Sequence, residues 1–193
     1  MRLLIVLVML SFALPVHAST ISPREQMKQM VDGVFAVLNS DLTPEAKKQK
    51  ISGTVQKYLS VESLSQRTLG VYWRQASADQ LKHFMSLYVQ ILEQTYLNRV
   101  DDYSGGKVDY LQELIHKDKA ILDTEFVSPE RKISVKYKML EMNGVWQIYD
   151  VLIEGVSLVR SYRSSYNEIL RKEGFDGLFK RMDEKLAQMK KGA

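Results

Sequence analysis

The sequence predicts an α+β fold, in which helices pack on the apolar face of one curved, four-stranded antiparallel sheet. The first observation is a change of period. Apolar residues recur with helical spacing before Ser104-Gly105-Gly106 and again after Gly155, whereas the residues between these points alternate with a period of two. The second is a pair of turn signals inside the alternating segment, Ser128-Pro129-Glu130 and Asn143-Gly144. Helices, then strands, then helices is the order of an α+β domain.

Residues 1–18 have the pattern of a secretory signal peptide. Arg2 precedes an apolar run from Leu3 to Leu14, and Val16-His17-Ala18 offers small residues for cleavage. This run of about twelve residues is shorter than the roughly twenty that span a bilayer. We therefore expect cleavage after Ala18 and an exported, soluble chain of 193 − 18 = 175 residues, which suits one domain over residues 19–193.

Four helices are predicted in the helical part of this domain, residues 19–104. Capping signals start three of them: Ser22-Pro23-Arg24-Glu25, Thr43-Pro44 and Ser77-Ala78-Asp79-Gln80. A shorter helix is predicted from Val61 to Leu69, where Gly70 ends it. The longest helix has one broad apolar face, wide enough to contact more than one neighbour. Its members are Leu81, Phe84, Leu87, Tyr88, Ile91, Leu92, Thr95 and Tyr96.

The sheet is predicted over residues 107–154. Its strands are expected at roughly 107–115, 119–127, 131–140 and 145–154. In the third strand, Ile133, Val135 and Tyr137 face one way, while the lysines and serine between them face the other. The C-terminal part, residues 156–190, is predicted to hold two helices, because Gly174 stops the first and Asp176 caps the second.

Composition excludes several classes of function. The chain has no cysteine, and only His83 and His116 follow the signal, so a metal site has almost no candidate ligands. Removing Arg2 leaves 27 − 1 = 26 basic and 23 acidic residues, a net charge of +3, which is too small to predict a nucleic-acid partner. The sequence contains no phosphate-binding glycine loop and no nucleophile elbow.

Asp150 is the strongest chemical candidate. The run Tyr149-Asp150-Val151 places a carboxylate within an otherwise apolar strand, where a curved sheet could use it as a general base. No second polar partner is identifiable, and an aspartate bonded to backbone or to an arginine fits the same pattern. We therefore expect no enzymatic activity, with catalysis by Asp150 as an alternative.

The large apolar faces could form either an ordinary packed core or the wall of an internal cavity. The long helix, the third strand and the helix after Gly155 carry more large apolar surface than two layers obviously need. Periodicity favours an ordinary packed core, since spacing cannot reveal an internal cavity.

Several motifs resemble those of the MlaC family, also called the toluene-tolerance auxiliary family. The resemblance covers nearly the whole predicted mature chain, and its most specific part is the strand-to-helix stretch that ends in Glu-Gly-Val-Ser. The motifs are Leu69-Gly70-Val71-Tyr72-Trp73-Arg74-Gln75-Ala76-Ser77, Gln94-Thr95-Tyr96, Trp146-Gln147-Ile148-Tyr149-Asp150-Val151, Ile153-Glu154-Gly155-Val156-Ser157-Leu158-Val159, Tyr162-Arg163 and Gly174-Phe175-Asp176-Gly177-Leu178.

This resemblance implies a fold and a function. The fold is a four-stranded sheet of the nuclear-transport-factor-two type with about six helices around a deep apolar cavity. The function is that of a periplasmic carrier, which binds the acyl tails of phospholipid and maintains lipid asymmetry of the outer membrane. The implied partners are an inner-membrane ABC transporter with a ring of MCE domains and an outer-membrane lipoprotein complex. We expect a monomer without a cofactor other than its phospholipid cargo.

The resemblance also implies site residues. Tyr96 and Val156 match positions expected at the family's pocket, and Arg160 and Arg163 are candidates for contact with a lipid phosphate. The remaining predicted wall residues come from the apolar faces described above and the matched motifs. They are Tyr72, Leu87, Ile91, Ile133, Val135, Tyr137, Trp146, Ile148 and Val159.

Three alternatives stay open. The segment from Lys107 to Arg131 carries no motif that matches the family position by position, which leaves the rim of the cavity and the number of bound acyl chains open. The cargo could be a hopanoid or another apolar lipid, since related carriers are associated with hopanoids. The chain could be an enzyme that uses Asp150. It could also be a periplasmic adaptor without cargo, which a cavity-free core would favour.

Overall fold

Helices flank one antiparallel sheet in a computed structural model that describes residues 21–97, 103 and 105–191. The predicted signal peptide, residues 1–18, lies outside the described residues. The helices before the sheet are α1 (Pro23–Leu38), α2 (Pro44–Gln56), α3 (Val61–Leu69) and α4 (Ala78–Leu97), with a 3-10 turn at Gly70–Arg74.

The predicted helix starts are confirmed by their caps. The Ser22 hydroxyl accepts a hydrogen bond from the backbone N–H of Glu25, and the Thr43 hydroxyl accepts one from the N–H of Ala46. At the start of α4, Ser77 and Gln80 form a reciprocal capping box, in which each side chain accepts from the other residue's backbone N–H. These bonds satisfy N–H groups that the first turn of a helix otherwise leaves without partners.

The strands are β1 (Lys107–His116), β2 (Lys119–Val127), β3 (Lys132–Met142), β4 (Val145–Ile153) and β5 (Val156–Ser157), paired antiparallel in the order β1-β2-β3-β4-β5. The sheet therefore has one strand more than the four that were predicted. Glu154 and Gly155 both have positive φ, 50° and 78°, which turns the chain back tightly enough for two residues to pair with β4. The sequence predicts helix from residue 156 onwards, so this short strand is a difference from the prediction.

Helix α5 (Leu158–Lys191) follows β5 directly. Its backbone is interrupted at Gly174, where φ is 67° and ψ is −167°, so it consists of the two predicted helical halves joined at a kink. Only Gly174 has non-helical angles within α5. Asp176 therefore lies in the first turn after the kink rather than at the capping position that the sequence suggested.

Buried side chains form two main cores. One core joins α3, α4 and α5 and centres on aromatic contacts of Phe84, Tyr88 and Tyr166, whose ring centroids lie 5.4–6.1 Å apart. The other packs Met27 and Met30 of α1 on one face of the sheet, which we call the inner face. Its sheet members are Ala120, Leu122, Met139, Trp146 and Ile148.

A bulge changes which side chains of β4 reach the inner face. Met139 pairs with Ile148, whereas the preceding residue, Lys138, pairs with Asp150, so Tyr149 is an extra residue in β4. Since successive side chains alternate, the extra residue moves Asp150 to the outer face and Val151 to the inner face.

Candidate functional site

An apolar cavity of about 310 Å³ lies between the inner face of the sheet, α1, α2 and the end of α4. This volume is at the lower end of the range for small-molecule sites, about 300–1,000 Å³. The described lining has no charged side chain, and its polar groups are three tyrosine hydroxyls. The helical side consists of Met30, Val31, Val34, Phe35, Leu38, Ile51, Val55, Tyr96 and Leu97. The other side consists of Tyr103, Val108, Phe126, Ile133, Val135, Tyr137, Val151 and Ile153.

Local sequence explains why these side chains converge. In α1, Met30, Val31 and Val34 repeat at helical spacing, which turns one stripe towards the sheet. In the sheet, Val135 pairs with Ile153 and Tyr137 pairs with Val151, and directly opposite residues of antiparallel strands share a face.

A second, smaller cavity adjoins the first. It has a volume of about 90 Å³, lies between α2 and α4, and shares Val55, Tyr96 and Leu97 with the larger cavity. Val55, Tyr96 and Leu97 thus form the boundary between the two spaces.

Tyr96 and Tyr137 stay neutral at physiological pH. Burial raises the pKa of Tyr96 to about 12, and neighbouring tyrosines add to the increase. Burial likewise raises the pKa of Tyr137 to about 12, although a hydrogen bond with Thr124 acts in the opposite direction. The cavity therefore offers hydroxyl dipoles but no charge, which suits a hydrocarbon ligand better than an ionic one.

Four predicted wall residues meet in the cavity: Tyr96, Ile133, Val135 and Tyr137. Leu87, Ile91 and Val159 are buried in the core between α3, α4 and α5, and Tyr72 packs against that core. Trp146 and Ile148 are buried between α1 and the sheet. The cavity is therefore built from part of the predicted wall, and ligand contact at every one of these positions stays a prediction.

Val156 lies at the edge of the sheet, with 59% of its surface exposed. It pairs with the cavity residue Ile153, so it lies on the inner-face side of β5. This position places Val156 beside the cavity at its rim and not within its wall.

Asp150 is 5% exposed, and donors surround its carboxylate. The Ser157 hydroxyl donates at 2.9 Å, the backbone N–H of Val159 donates at 3.3 Å, and Lys138 Nζ lies 3.3 Å away. The side chain therefore joins β3 and β4 to the start of α5. This arrangement gives the carboxylate a structural role, and it is turned away from the apolar cavity.

Arg160 and Arg163 do not line the apolar cavity. They line a separate polar cavity on the outer side of β3 and β4, together with Lys138 and Asp150. Their contact with a lipid phosphate stays a prediction.

The contributions of α1, α2, β1, β2 and the end of β4 to the cavity were not predicted from the sequence. Helical spacing in α1 was visible, but it could not show that the stripe faces a space rather than solid core. Val151 and Ile153 could not be assigned, because strict alternation from Trp146 and Ile148 places them on the opposite face. Among the described residues, no group of acidic or histidine side chains could hold a metal ion. None of the described helices is both long and apolar enough to cross a membrane.

The family profile described as MlaC protein matches residues 28–184. The chain belongs to the MlaC family. The matched range contains the sheet, α2 to α4 and most of α1 and α5, and therefore every described element that lines the cavity.

Two known proteins are similar to this MlaC-family chain. The intermembrane phospholipid transport system binding protein MlaC of Haemophilus influenzae is 24% identical over 183 residues, which cover 86% of this chain and 83% of that protein. A phospholipid-binding protein from Ralstonia solanacearum, solved in complex with a phospholipid, aligns with a TM-score of 0.79 and 20% identity, covering 86% of this chain and 97% of that one. The second similarity shows that this chain shares the fold of the Ralstonia protein.

Proposed function

We propose that the chain binds the acyl tails of a phospholipid in the apolar cavity and carries the lipid between membranes. The observation that supports this most directly is a lining of seventeen residues without a charge, between one sheet face and three helices. The names of the Haemophilus and Ralstonia proteins support a phospholipid as the ligand, since one belongs to an intermembrane phospholipid transport system and the other was solved with a phospholipid.

Physical chemistry explains why such a carrier needs a cavity rather than a catalytic group. Two acyl chains of about fifteen methylenes each cost on the order of 24 kcal/mol to expose to water, at about 0.8 kcal/mol per methylene. A lipid therefore does not cross an aqueous space at a useful rate unless its tails are covered. The cavity must cover the tails about as well as a bilayer does. Its affinity for the lipid must not be much higher than that of the bilayer, because a carrier that binds too strongly cannot release its cargo.

The wider proposal follows from family membership. We place the mature chain in the periplasm, between an outer-membrane lipoprotein complex and an inner-membrane ABC transporter with an MCE-domain ring. In this setting it maintains lipid asymmetry of the outer membrane as a cofactor-free monomer. The motif match at Glu154-Gly155-Val156-Ser157 and the rim position of Val156 support lipid entry at this edge of the sheet.

Native mass spectrometry of the purified protein tests the proposal. We expect a bound lipid after purification or after incubation with phospholipid vesicles, and its mass distinguishes a phospholipid from a hopanoid. A protein that stays free of lipid after both treatments contradicts the proposal.

A pair of variants tests the position of the site. Val156→Glu puts a charge at the rim, where we expect it to reduce lipid retention at least tenfold, since an unpaired charge beside a hydrocarbon chain must be desolvated. Leu114→Glu is the matched control, because Leu114 is similarly exposed, at 53%, but lies on β1 outside the cavity lining. Equal lipid retention by the two variants would show that Val156 is not at the entrance.

A further inference from the structure

A second cavity, on the outer side of the sheet, has the opposite chemistry. Its volume is about 310 Å³, and four basic side chains line it: Arg67, Lys138, Arg160 and Arg163. Asp150 is the single carboxylate among its described lining residues. Four positive groups around one opening repel each other, so an anion between them would be stabilised.

Two of the arginines are positioned by contacts that leave their charge uncompensated. The Arg67 guanidinium carbon lies 4.1 Å from the centroid of the Tyr149 ring, in a cation–π contact. The Arg163 guanidinium lies over Gly70, where an added Cβ would be 2.7 Å from Nη2. Gly70 has a φ of 59°, a conformation that favours glycine at this position.

Among the described residues, no carboxylate lies within ion-pair distance of Arg67, Arg160 or Arg163. A guanidinium that contacts only an aromatic ring or a glycine backbone keeps its N–H donors available for a ligand. Planar donors of this kind match the oxygen geometry of phosphate. Lys138, by contrast, is paired with Asp150, so the carboxylate of the cavity neutralises the lysine and leaves the arginine charges in excess.

The start of α5 forms one side of the cavity. Ser157, Val159 and Arg160 line it there, and the Asp150 carboxylate caps the helix by accepting a hydrogen bond from the N–H of Val159. An adjoining depression shares Gly70 and Arg163 and adds a further cation, Arg74.

The sheet separates this cavity from the apolar one. Tyr137 lines the apolar cavity and the next residue, Lys138, lines the polar one. On β4, Val151 likewise lines the apolar cavity and its neighbour Asp150 lines the polar one. Because neighbouring side chains of a strand point to opposite faces, the two ligands would occupy different sides of the same two strands.

We propose that the outer cavity is a phosphate-binding site, which accepts the phosphate of a membrane-surface headgroup or free phosphate, with Arg67 and Arg163 as the principal ligands. The site is distinct from the acyl cavity and does not depend on it.

Isothermal titration of the purified protein with inorganic phosphate, at constant ionic strength with chloride as the background anion, tests the site. We expect saturable binding that Arg67→Gln and Arg163→Gln each weaken at least tenfold. Arg171→Gln is the matched control, because Arg171 is an exposed arginine of the same helix as Arg163 but does not line the cavity. Its phosphate affinity should equal that of the unsubstituted protein.

Co-sedimentation with phosphatidylglycerol vesicles distinguishes the two sources of phosphate. Vesicle binding that both cavity substitutions weaken, and that the control substitution leaves unchanged, identifies a membrane headgroup. Phosphate binding without vesicle binding identifies free phosphate. The proposal is overturned if neither ligand shows binding that depends on Arg67 and Arg163.

The same variants separate this proposal from the acyl-chain proposal. Arg67→Gln and Arg163→Gln should keep the lipid observed by native mass spectrometry, while Val156→Glu should keep its phosphate affinity. Loss of lipid from the arginine variants would mean that the polar cavity belongs to the acyl site rather than forming a second one.

Discussion

Asp150 resembles a catalytic carboxylate in the sequence, but in the structure its hydrogen bonds stabilise the fold. Its carboxylate accepts hydrogen bonds from Ser157 and Val159 and pairs with Lys138, so it connects the sheet to the start of α5. The sequence identified Asp150 as unusual because of its apolar neighbours. It could not identify the partners, since the bulge and the turn before β5 bring them together.

Asp150→Asn should lower the free energy of unfolding by about 1–3 kcal/mol, because hydrogen bonds to a buried charged group are worth more than neutral ones. The control is Asp123→Asn. Asp123 pairs with Lys136 at 3.3 Å but is 26% exposed, so its loss should cost about 1 kcal/mol or less. Guanidinium denaturation of both variants gives the comparison, and equal costs would argue against the structural role of Asp150.

At the scale of secondary-structure elements, the sequence predicted most of what forms. The strands begin and end within about two residues of their predicted bounds, because turn residues such as Asn143-Gly144 are specific. The alternation in β3 is confirmed by Lys132 and Lys136, which pair on the outer face with Glu125 and Asp123. The two-residue β5 escaped prediction, since no period is visible in so short a strand.

The kink in α5 depends on Gly174. Its φ of 67° and ψ of −167° lie in a region that is essentially restricted to glycine. Gly174→Ala should therefore destabilise the protein by about 1–3 kcal/mol.

Gly53→Ala supplies the control for that substitution. Gly53 lies inside α2, and an added Cβ would meet nothing within 4 Å, so alanine should stabilise the helix by about 0.5–1 kcal/mol. Thermal unfolding of both variants measures the difference. Two shifts of the same sign would contradict the role assigned to the kink.

At the scale of the whole molecule, the sequence predicted the fold better than the site. The broad face of α4 divides between two environments: Leu87 and Ile91 enter the helical core, whereas Tyr96 at the end of the helix reaches the cavity. Periodicity reports which side of a helix is apolar, but not which neighbour covers it. The assignment requires the paths of α1, α2 and β4 in space.

Stability should fall at alkaline pH. Burial raises the pKa of Tyr88, Tyr110 and Tyr166 above its ordinary value of 10, as it does for Tyr96 and Tyr137. Well below pH 10 these groups are neutral in both states. As the pH rises from 10 towards 12, the unfolded chain loses protons that the folded protein retains, so unfolding becomes easier.

Denaturation at pH 8, 10 and 11 checks this expectation. Tyr137→Phe should reduce the loss of stability between pH 10 and 11, because it removes one of the contributing hydroxyls. If the substitution leaves the pH dependence unchanged, the ionisation of Tyr137 is not coupled to folding.

The extra residue at Tyr149 makes the effect of a deletion in β4 depend on where the deletion falls. Removing Tyr149 would join Ile148 directly to Asp150, so alternation would still point Asp150 outward and Val151 and Ile153 inward. Removing Val151 instead would turn Ile153 to the outer face and lose its place in the cavity wall. A survey of sequence variants should therefore find single-residue deletions at Tyr149 but not at Val151.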